Sequence, residues 1–322
     1  MTIYIGCDLG GTNIKVGLVD IHNRQVILSR SIPTESQQGY ENVLSRMAQL
    51  SHDLIRDSDY QLGDVTGMGV SFPGMLDLSS GMTKFLTNFP GHWRDVPVVE
   101  ILQGHLNIPI FILNDARAIT YGEFQCGAGE GMDRLACYAI GTGIGGGLIL
   151  DGKLLLGFEG SAGELGHHTV DINGPRCGCG NYGCVETFAS GPAISSMGEK
   201  AVRQGLTTSI GDLVNYDLNK INPKIIARAA RNGDEIAQEI WKTAGHYLGI
   251  GISNVLLSFG PQRVILAGGV SNAGNLLLNP IRETIQNRVF LMPKDRVEIV
   301  LASLGVEAGI LGMAMWAHHN TR

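Results

Sequence analysis

The sequence predicts an α/β protein of two domains. Its 322 residues exceed one typical domain of about 150 residues. Two segments, residues 3–28 and 135–156, each have the pattern of strand, glycine-rich turn and strand. Helical periodicity follows both segments. The residues differ between the halves, so we interpret the pattern as a structural duplication.

Apolar patterning places the individual elements. Alternating or continuous apolar residues predict strands at 3–5, 14–19, 25–28, 68–72, 110–113, 135–140, 148–150, 153–156 and 264–267. Asp151-Gly152 is a two-residue hairpin signal. Helices are predicted from Glu41, around residues 236–248, and at 306–318.

The composition indicates a folded, acidic chain. Hydrophobic residues make up 44% of the sequence and charged residues 17%, which is too apolar for a disordered protein. The 24 Lys and Arg against 30 Asp and Glu give a formal net charge of −6. Binding to a phosphate backbone needs a basic surface, so we expect no nucleic acid partner.

We expect no membrane segment and a cytoplasmic location. The amino terminus lacks a basic stretch and contains Asp8, unlike a secretory signal. Residues 243–262 contain no Asp, Glu, Lys or Arg, but four glycines and Pro261 favour a buried helix. The six cysteines do not form a disulfide framework for a chain of this size.

The first candidate site is the segment Asp8-Leu-Gly-Gly-Thr12. Gly10 and Gly11 allow a phosphate chain to approach the backbone, and Thr12 adds a hydroxyl. Asp8 could hold a hydrated magnesium ion through water. The alternative is an ordinary hairpin that needs glycine at positive φ, and this motif alone does not separate the two.

A second glycine turn spans residues 141–147 and formally satisfies the dinucleotide fingerprint G-x-G-x-x-G. That fingerprint requires a following helix, whereas Leu148-Ile-Leu150 predicts a strand. A nicotinamide dehydrogenase, which would need a helix starting at Gly146, is therefore disfavoured. With Gly268 and Gly269, the glycine segments are able to grip a nucleotide.

Asn114 and Asp115 follow a predicted strand, where open α/β sheets usually bind ligands. A carboxylate there can accept the proton of a hydroxyl that attacks a γ-phosphate. Taken alone, the two residues favour the alternative, an Asx cap that opens the next helix.

Four potential metal ligands lie close together in the sequence. Cys177, Cys179, Cys184 and His167 form a Cys₃His set that suits tetrahedral zinc. Four protein ligands leave no open position, so such a zinc ion would be structural and would clamp the glycine-rich loop. His168 is a rival ligand, and three buried free cysteines are the alternative.

Two acids and two further segments complete the candidates. Glu164 and Glu186 flank the cysteines and could accept hydrogen bonds from sugar hydroxyls, or both could be solvated surface acids. Pro73-Gly74 is an ordinary turn or a ligand contact. Thr87-Asn88 is a plausible ligand contact that the local sequence does not establish.

Together these motifs resemble the ROK sugar kinases, which are bacterial-type glucokinases and their relatives in the actin-like ATPase superfamily. The matching segments are D-L-G-G-T at 8–12, P-G at 73–74, N-D at 114–115, G-T-G-I-G-G-G at 141–147, G-E-L-G-H at 163–167 and C-G-C-G-N-Y-G-C-V-E at 177–186. The resemblance implies a two-lobed, actin-like (ribonuclease H-like) α/β fold with an interlobe cleft.

The resemblance also implies roles for individual residues. Asp115 would be the catalytic base. The sugar would contact Gly74, Asn88, Asn114, Asp115, Glu164, His167 and Glu186. Zinc would be bound by His167, Cys177, Cys179 and Cys184. The contacts to ATP would come from the loops at 6–13 and 140–147, with Asp8, Gly10, Gly11, Thr12, Asn13, Gly141, Thr142, Gly143 and Gly145. To these we add Lys15, Gly268 and Gly269 as expected contacts.

The expected activity is transfer of the ATP γ-phosphate to a hexose, with the 6-hydroxyl of glucose as first choice and N-acetylmannosamine as second. The expected cofactors are ATP, Mg²⁺ and structural Zn²⁺, in a dimer or tetramer. Residues 1–118 would form the smaller lobe, joined by the C-terminal helix 306–322. Residues 119–305 would form the larger lobe with the zinc-clamped loop.

Two regulator hypotheses belong to another class. Some ROK members are transcriptional repressors with a DNA-binding region before the first glycine loop. Here that loop begins at Gly6, so we expect an enzyme. A non-catalytic sugar sensor would keep the sugar pocket, and Asp115 together with both glycine loops argues against it.

Overall fold

The structure is a computed structural model and describes residues 2–86 and 89–321. The chain forms two compact units. The first unit comprises residues 1–131, 153–163 and 303–322, and the second comprises residues 132–152 and 164–302. The boundary expected near Ala118 falls inside a continuous helix, Asp115–Cys126.

The described residues contain runs of strands and runs of α-helices. The strands are β1 (Ile3–Leu9), β2 (Asn13–Asp20), β3 (Gln25–Pro33), β4 (Val65–Phe72), β5 (Met75–Asp77), β6 (Met82–Phe85), β7 (Ile110–Asn114), β8 (Leu135–Ile140), β9 (Ile144–Leu150), β10 (Lys153–Leu154), β11 (Arg263–Ala267) and β12 (Glu298–Leu301). The helices are α1 (Tyr40–Arg56), α2 (Val98–Leu106), α3 (Asp115–Cys126), α4 (Glu186–Ala189), α5 (Gly191–Arg203), α6 (Pro223–Arg231), α7 (Glu235–Phe259), α8 (Asn275–Arg288) and α9 (Ala308–Thr321).

Each unit contains a sheet with the same topology. In the first sheet the order is β3-β2-β1-β4-β7. β1 and β2 are antiparallel, whereas β1, β4 and β7 are parallel. In the second unit the strands that correspond to β2-β1-β4-β7 have the order β9-β8-β11-β12, with β8 and β9 antiparallel and β8, β11 and β12 parallel. The matching order and directions agree with the duplication inferred from the sequence.

The core of the first unit lies on both faces of its sheet. One face of α1 is buried as the periodicity predicts, with Val43, Leu44 and Met47 fully covered. α9 packs against β1, β4 and α3. Glycine permits this close approach, because a Cβ on Gly312 would lie 1.9 Å from the carbonyl oxygen of Ala118.

The second unit is built around α7, a helix of 25 residues that packs along α8. Most of the charge-free segment at 243–262 lies in this helix, whose Trp241 and Leu248 are buried. A buried helix is therefore the correct interpretation of that segment. Among the described residues, no helix combines the length and apolar character needed to cross a membrane.

Several details differ from the sequence prediction, which set no bounds for the strand β12 or for the helices α2, α4, α5, α6 and α8. The strand predicted at 153–156 is shorter, because β10 contains only two residues. The small hairpin of β5 and β6 was not predicted, since its strands have three and four residues and offer little period to detect. The predicted turn is present, with positive φ at both Asp151 and Gly152.

Candidate functional site

In the first unit, three parallel strands bring their carboxyl ends to one edge of the sheet. Asp8 of β1 is in register with Ser71 of β4. Phe72 of β4 is in register with Asn114 of β7. The topology therefore gathers Asp8, Ser71 and Asn114 at the edge where α/β sheets usually bind ligands.

Asp8 is half-buried and held from two sides. The Ser71 hydroxyl donates a hydrogen bond of 2.8 Å to Asp8 Oδ1. Lys15 Nζ lies 3.9 Å from Asp8 Oδ2. The carboxylate is thus oriented before any cation or phosphate arrives.

The first glycine segment is a hairpin turn with an exposed tip. Gly10 N donates to Asn13 O at 2.9 Å, and the Thr34 hydroxyl donates to Gly10 O at 2.6 Å. Gly11, Thr12 and Asn13 are exposed. The hairpin interpretation is therefore correct as a description of the backbone, and the exposed tip stays open to a ligand.

The sequence offered two roles for Asn114 and Asp115, a helix cap and a catalytic carboxylate, and the structure shows which residue is the cap. Asn114 is the N-cap of α3, and its Oδ1 accepts from Ala116 N at 3.1 Å and Arg117 N at 3.3 Å. Asp115 is the first residue of the helix and is half-buried, and its Oδ1 accepts from Ala116 N at 2.8 Å. Because Asn114 caps the helix, Asp115 is not required as the cap.

Gly74 joins this group through its backbone. Asn114 Nδ2 donates to the carbonyl oxygen of Gly74 at 3.2 Å. Asn88, together with Thr87, lies outside the described residues.

In the second unit, residues 141–143 form the turn between β8 and β9, and the remaining glycines of the segment at 141–147 lie in β9. Gly141 N donates to Gly143 O at 2.9 Å, and Gly191 N at the start of α5 donates to Gly141 O at 2.8 Å. β9 continues through Gly146 as a strand, so the helix needed for dinucleotide binding is missing from this segment. The dehydrogenase hypothesis therefore fails.

Gly268 and Gly269 follow β11 and lie beside the end of β8. A Cβ on Gly268 would come within 2.4 Å of the carbonyl oxygen of Ile140. The parallel pairing of β8 and β11 thus brings Gly268 next to Gly141, and both glycine segments lie at one edge of the second sheet. Thr142, Gly268 and Gly269 are exposed there.

His167, Cys177, Cys179 and Cys184 form a compact cluster. Their potential ligand atoms all lie within 4.8 Å of one another. Cys179 Sγ and Cys184 Sγ are 3.8 Å apart, and Cys177 Sγ and His167 Nδ1 are 3.6 Å apart. A tetrahedral zinc ion places two sulfur ligands about 3.8 Å apart, and sulfur and nitrogen about 3.5 Å apart. The donor set and its spacing fit such an ion.

His167 is the histidine of the cluster, and the rival His168 is not part of it. Burial, with a smaller contribution from His167, lowers the pKa of His168. Burial, together with the neighbouring thiols, raises the pKa of Cys184 to about 12. A thiolate at Cys184 therefore needs a compensating cation, which a bound metal supplies.

The two candidate acids of the second unit have different surroundings. Glu164 is exposed, and its carbonyl oxygen accepts from His167 N at 3.1 Å. Glu186 is the first residue of α4 and is half-buried. Its Oε2 accepts from Ile144 N at 2.8 Å, and its Oε1 lies 3.7 Å from Cys177 Sγ. Glu186 therefore lies between the cluster and the glycine turn.

Sequence reasoning missed Ser71 as a site residue. Ser71 is fully buried, and its hydroxyl is bonded to Asp8 across two strands. Ser71 lies two residues before Pro73-Gly74, but only the register of β1 and β4 pairs it with Asp8.

Comparisons with known proteins agree on one family. The family model described as "ROK family" matches residues 4–320. A glucokinase of Thermotoga maritima is 36% identical over 316 residues, covering 96% of this chain and 95% of that protein. A xylose repressor of Bacillus subtilis is 32% identical over 311 residues, covering 96% of this chain and 75% of the repressor.

A solved structure gives the same result for the fold. The crystal structure of a ROK family glucokinase from Streptomyces griseus, in complex with glucose and AMPPNP, matches with a TM-score of 0.84 at 30% identity. The match covers 98% of this chain and 99% of that chain. The predicted actin-like α/β fold is thereby confirmed.

Proposed function

Because the chain belongs to the ROK family, we propose that it is a kinase that transfers the γ-phosphate of ATP to the 6-hydroxyl of glucose. One observation carries the proposal: this chain is similar to glucokinases over nearly its whole length. One of these glucokinases was solved with glucose and AMPPNP. The sites within each unit supply the residue types that this reaction needs.

Asp115 is the proposed general base. Its carboxylate takes the proton of the sugar hydroxyl as that oxygen attacks the γ-phosphate, which leaves the terminal phosphoryl group on the sugar and releases ADP. Asn114 and the backbone of Gly74 are proposed to orient the sugar, together with Asn88. Asn114 is suited to this because its amide is already held against Gly74 O.

The glycine segments are the proposed phosphate sites. They are the turn at Gly10–Asn13 with Lys15, the turn at 141–145, and Gly268-Gly269. Their exposed backbone lies at Gly11, Thr12, Asn13, Thr142, Gly268 and Gly269. Asp8 is the proposed anchor for hydrated Mg²⁺, and the ion when bound would neutralise charge on the phosphates.

In the second unit, Glu164, His167 and Glu186 are proposed to bind sugar hydroxyls. A carboxylate has about four acceptor positions, so Glu186 can accept from a sugar while it accepts from Ile144 N. The Cys₃His cluster is proposed to hold structural zinc. With four protein ligands, the zinc ion would hold the loop in shape and take no part in phosphoryl transfer.

Three further features belong to the proposal. We assign the two compact units to the two lobes of the family fold. We place the protein in the cytoplasm, since thiolate metal ligands need a compartment that keeps thiols reduced. We also propose a dimer or tetramer, as expected for this family.

A coupled assay of ADP release tests the proposed function. The purified protein with ATP and Mg²⁺ is offered glucose, mannose, fructose, allose, N-acetylglucosamine and N-acetylmannosamine. We expect the highest kcat/KM with glucose and formation of glucose 6-phosphate. A higher kcat/KM with N-acetylmannosamine would move the assignment to that sugar.

The similarity to a xylose repressor supports a second candidate, a sugar-sensing regulator without kinase activity. The same panel separates the two, because a regulator would bind a sugar in calorimetry but release no ADP. Sugar binding without ADP release on any member of the panel would favour the regulator.

A further inference from the structure

We propose that Glu186 positions the glycine turn at Gly143–Ile144, so that the metal cluster and the nucleotide site of the second unit are energetically coupled. The inference rests on the proposed role of this turn in binding ATP phosphates. It gives Glu186 a function besides contact with the sugar.

The contact between Glu186 and the turn is direct. Ile144 N donates to Glu186 Oε2 at 2.8 Å, and a charged acceptor makes this a strong type of hydrogen bond. A Cβ on Gly143 would lie 2.5 Å from the same oxygen. The carboxylate is thus packed against both residues, and any side chain on Gly143 would push it away.

The segment leading to His167 packs on the same hairpin. A Cβ on Gly146 would lie 2.7 Å from the Leu165 side chain, and one on Gly166 would lie 1.9 Å from the carbonyl oxygen of Ile144. The backbone next to His167 is therefore in close contact with the strand that follows the turn.

Glu186 is also close to the Cys₃His cluster, both along the chain and in space. It follows Cys184 by two residues, and Val185 N donates to His168 O at 3.0 Å. Cys177 Sγ lies 3.7 Å from Glu186 Oε1. A bound metal fixes Cys184 and His167, and so restricts Glu186 to the position from which it reaches Ile144 N.

An ordered turn binds phosphates more tightly because less conformational entropy is lost on binding. Coupling is reciprocal, so nucleotide binding must tighten metal binding by the same factor. A hydrogen bond to a charged group supports a change on the order of tenfold or more.

The first measurement is the affinity for AMPPNP with Mg²⁺ and without sugar, by calorimetry. We expect E186A to bind about tenfold more weakly than the unmodified protein. E186Q should stay within about threefold, since its amide oxygen still accepts from Ile144 N. E235A is the matched control, because Glu235 is exposed and also opens a helix, α7; its affinity should not change.

If the near-UV circular dichroism of E186A shows that it is not folded, E186D is used in its place. Asp keeps the charge, but its carboxylate lies one methylene, about 1.5 Å, farther from Ile144 N. The second measurement is zinc retention against a competing chelator. Saturating AMPPNP should raise zinc affinity about tenfold in the unmodified protein but not in the Glu186 variant.

Unchanged AMPPNP affinity in a folded E186A or E186D would overturn the positioning role. Zinc retention that does not respond to nucleotide in the unmodified protein would overturn the coupling. Failure of the proposed function looks different, because the unmodified protein would then neither bind AMPPNP nor release ADP.

Discussion

At the start of α3, two adjacent polar residues perform separate tasks. Asn114 caps the helix with its side-chain oxygen, which is the ordinary role of Asn at this position. Asp115 is half-buried at the first helical position. The Asx cap that the local sequence favoured is thus real, and it is made by Asn114 and not by Asp115.

Replacing Asp115 by Asn tests its role as the base. The amide oxygen can still accept from Ala116 N, so we expect the fold and the sugar affinity to change little. kcat should fall by about 10²–10⁴-fold, which is the usual contribution of a general base. D59N, a change of an exposed Asp in the same unit, is the matched control. Near-normal kcat in D115N would remove Asp115 from this role.

The carboxylate of Asp234, by contrast, stabilises the start of a helix. It is the N-cap of α7, accepting from Ala237 N at 2.9 Å and Ser209 N at 2.6 Å. The Thr208 and Ser209 hydroxyls add bonds of 2.8 Å each. Burial opposes ionisation, but these hydrogen bonds outweigh it and lower the pKa of Asp234.

D234N keeps an oxygen at the cap but loses its charge, so it should destabilise the protein by about 1 kcal/mol near pH 7. Folding lowers the pKa of Asp234, so its stabilisation is complete above the unfolded pKa, about 3.9, and is lost as pH falls through the folded pKa. Urea unfolding gives the free energy of unfolding of the unmodified protein and of D234N. The difference between the two should be constant above about pH 5 and should become smaller below about pH 4. A difference in unfolding free energy that is the same at every pH would show that the charge of Asp234 is not the cause.

Among the elements, the loop that carries the cluster is the one that the proposed zinc ion would hold in shape. It contains four glycines between residues 174 and 183, and its cysteines span buried and exposed positions. Glycine-rich backbone loses much conformational entropy on ordering. A metal that ties four side chains together offsets this loss.

We expect about one zinc equivalent per chain by metal analysis, and loss of that zinc in C179S. A ligand present at about 1,000 times its Kd contributes about 4 kcal/mol, so the unfolding temperature of C179S should fall by roughly 5–10 °C. C126S is the control, because Cys126 lies outside the cluster. Stoichiometric zinc in C179S would rule out the ligand set.

At the scale of the whole molecule, the two sheets repeat one topology without repeating their residues. In each unit a hairpin is followed by parallel strands, and the glycine turn of the hairpin lies at the carboxyl edge of those strands. Turn chemistry and apolar period are local properties, so the sequence predicted both hairpins, most of the strands and the helices α1, α7 and α9 correctly. The short strands β5, β6 and β12 were not predicted, because three or four residues carry no measurable period.

The sequence by itself determined the motifs, the Cys₃His ligand types and the family resemblance, because these depend on residue identity and spacing along the chain. It left open whether His167 or His168 joins the cysteines, and it did not indicate that Ser71 bonds to Asp8 or Glu186 to Ile144 N. Only the tertiary structure decided these points, since strand register and loop packing bring together residues far apart in the chain.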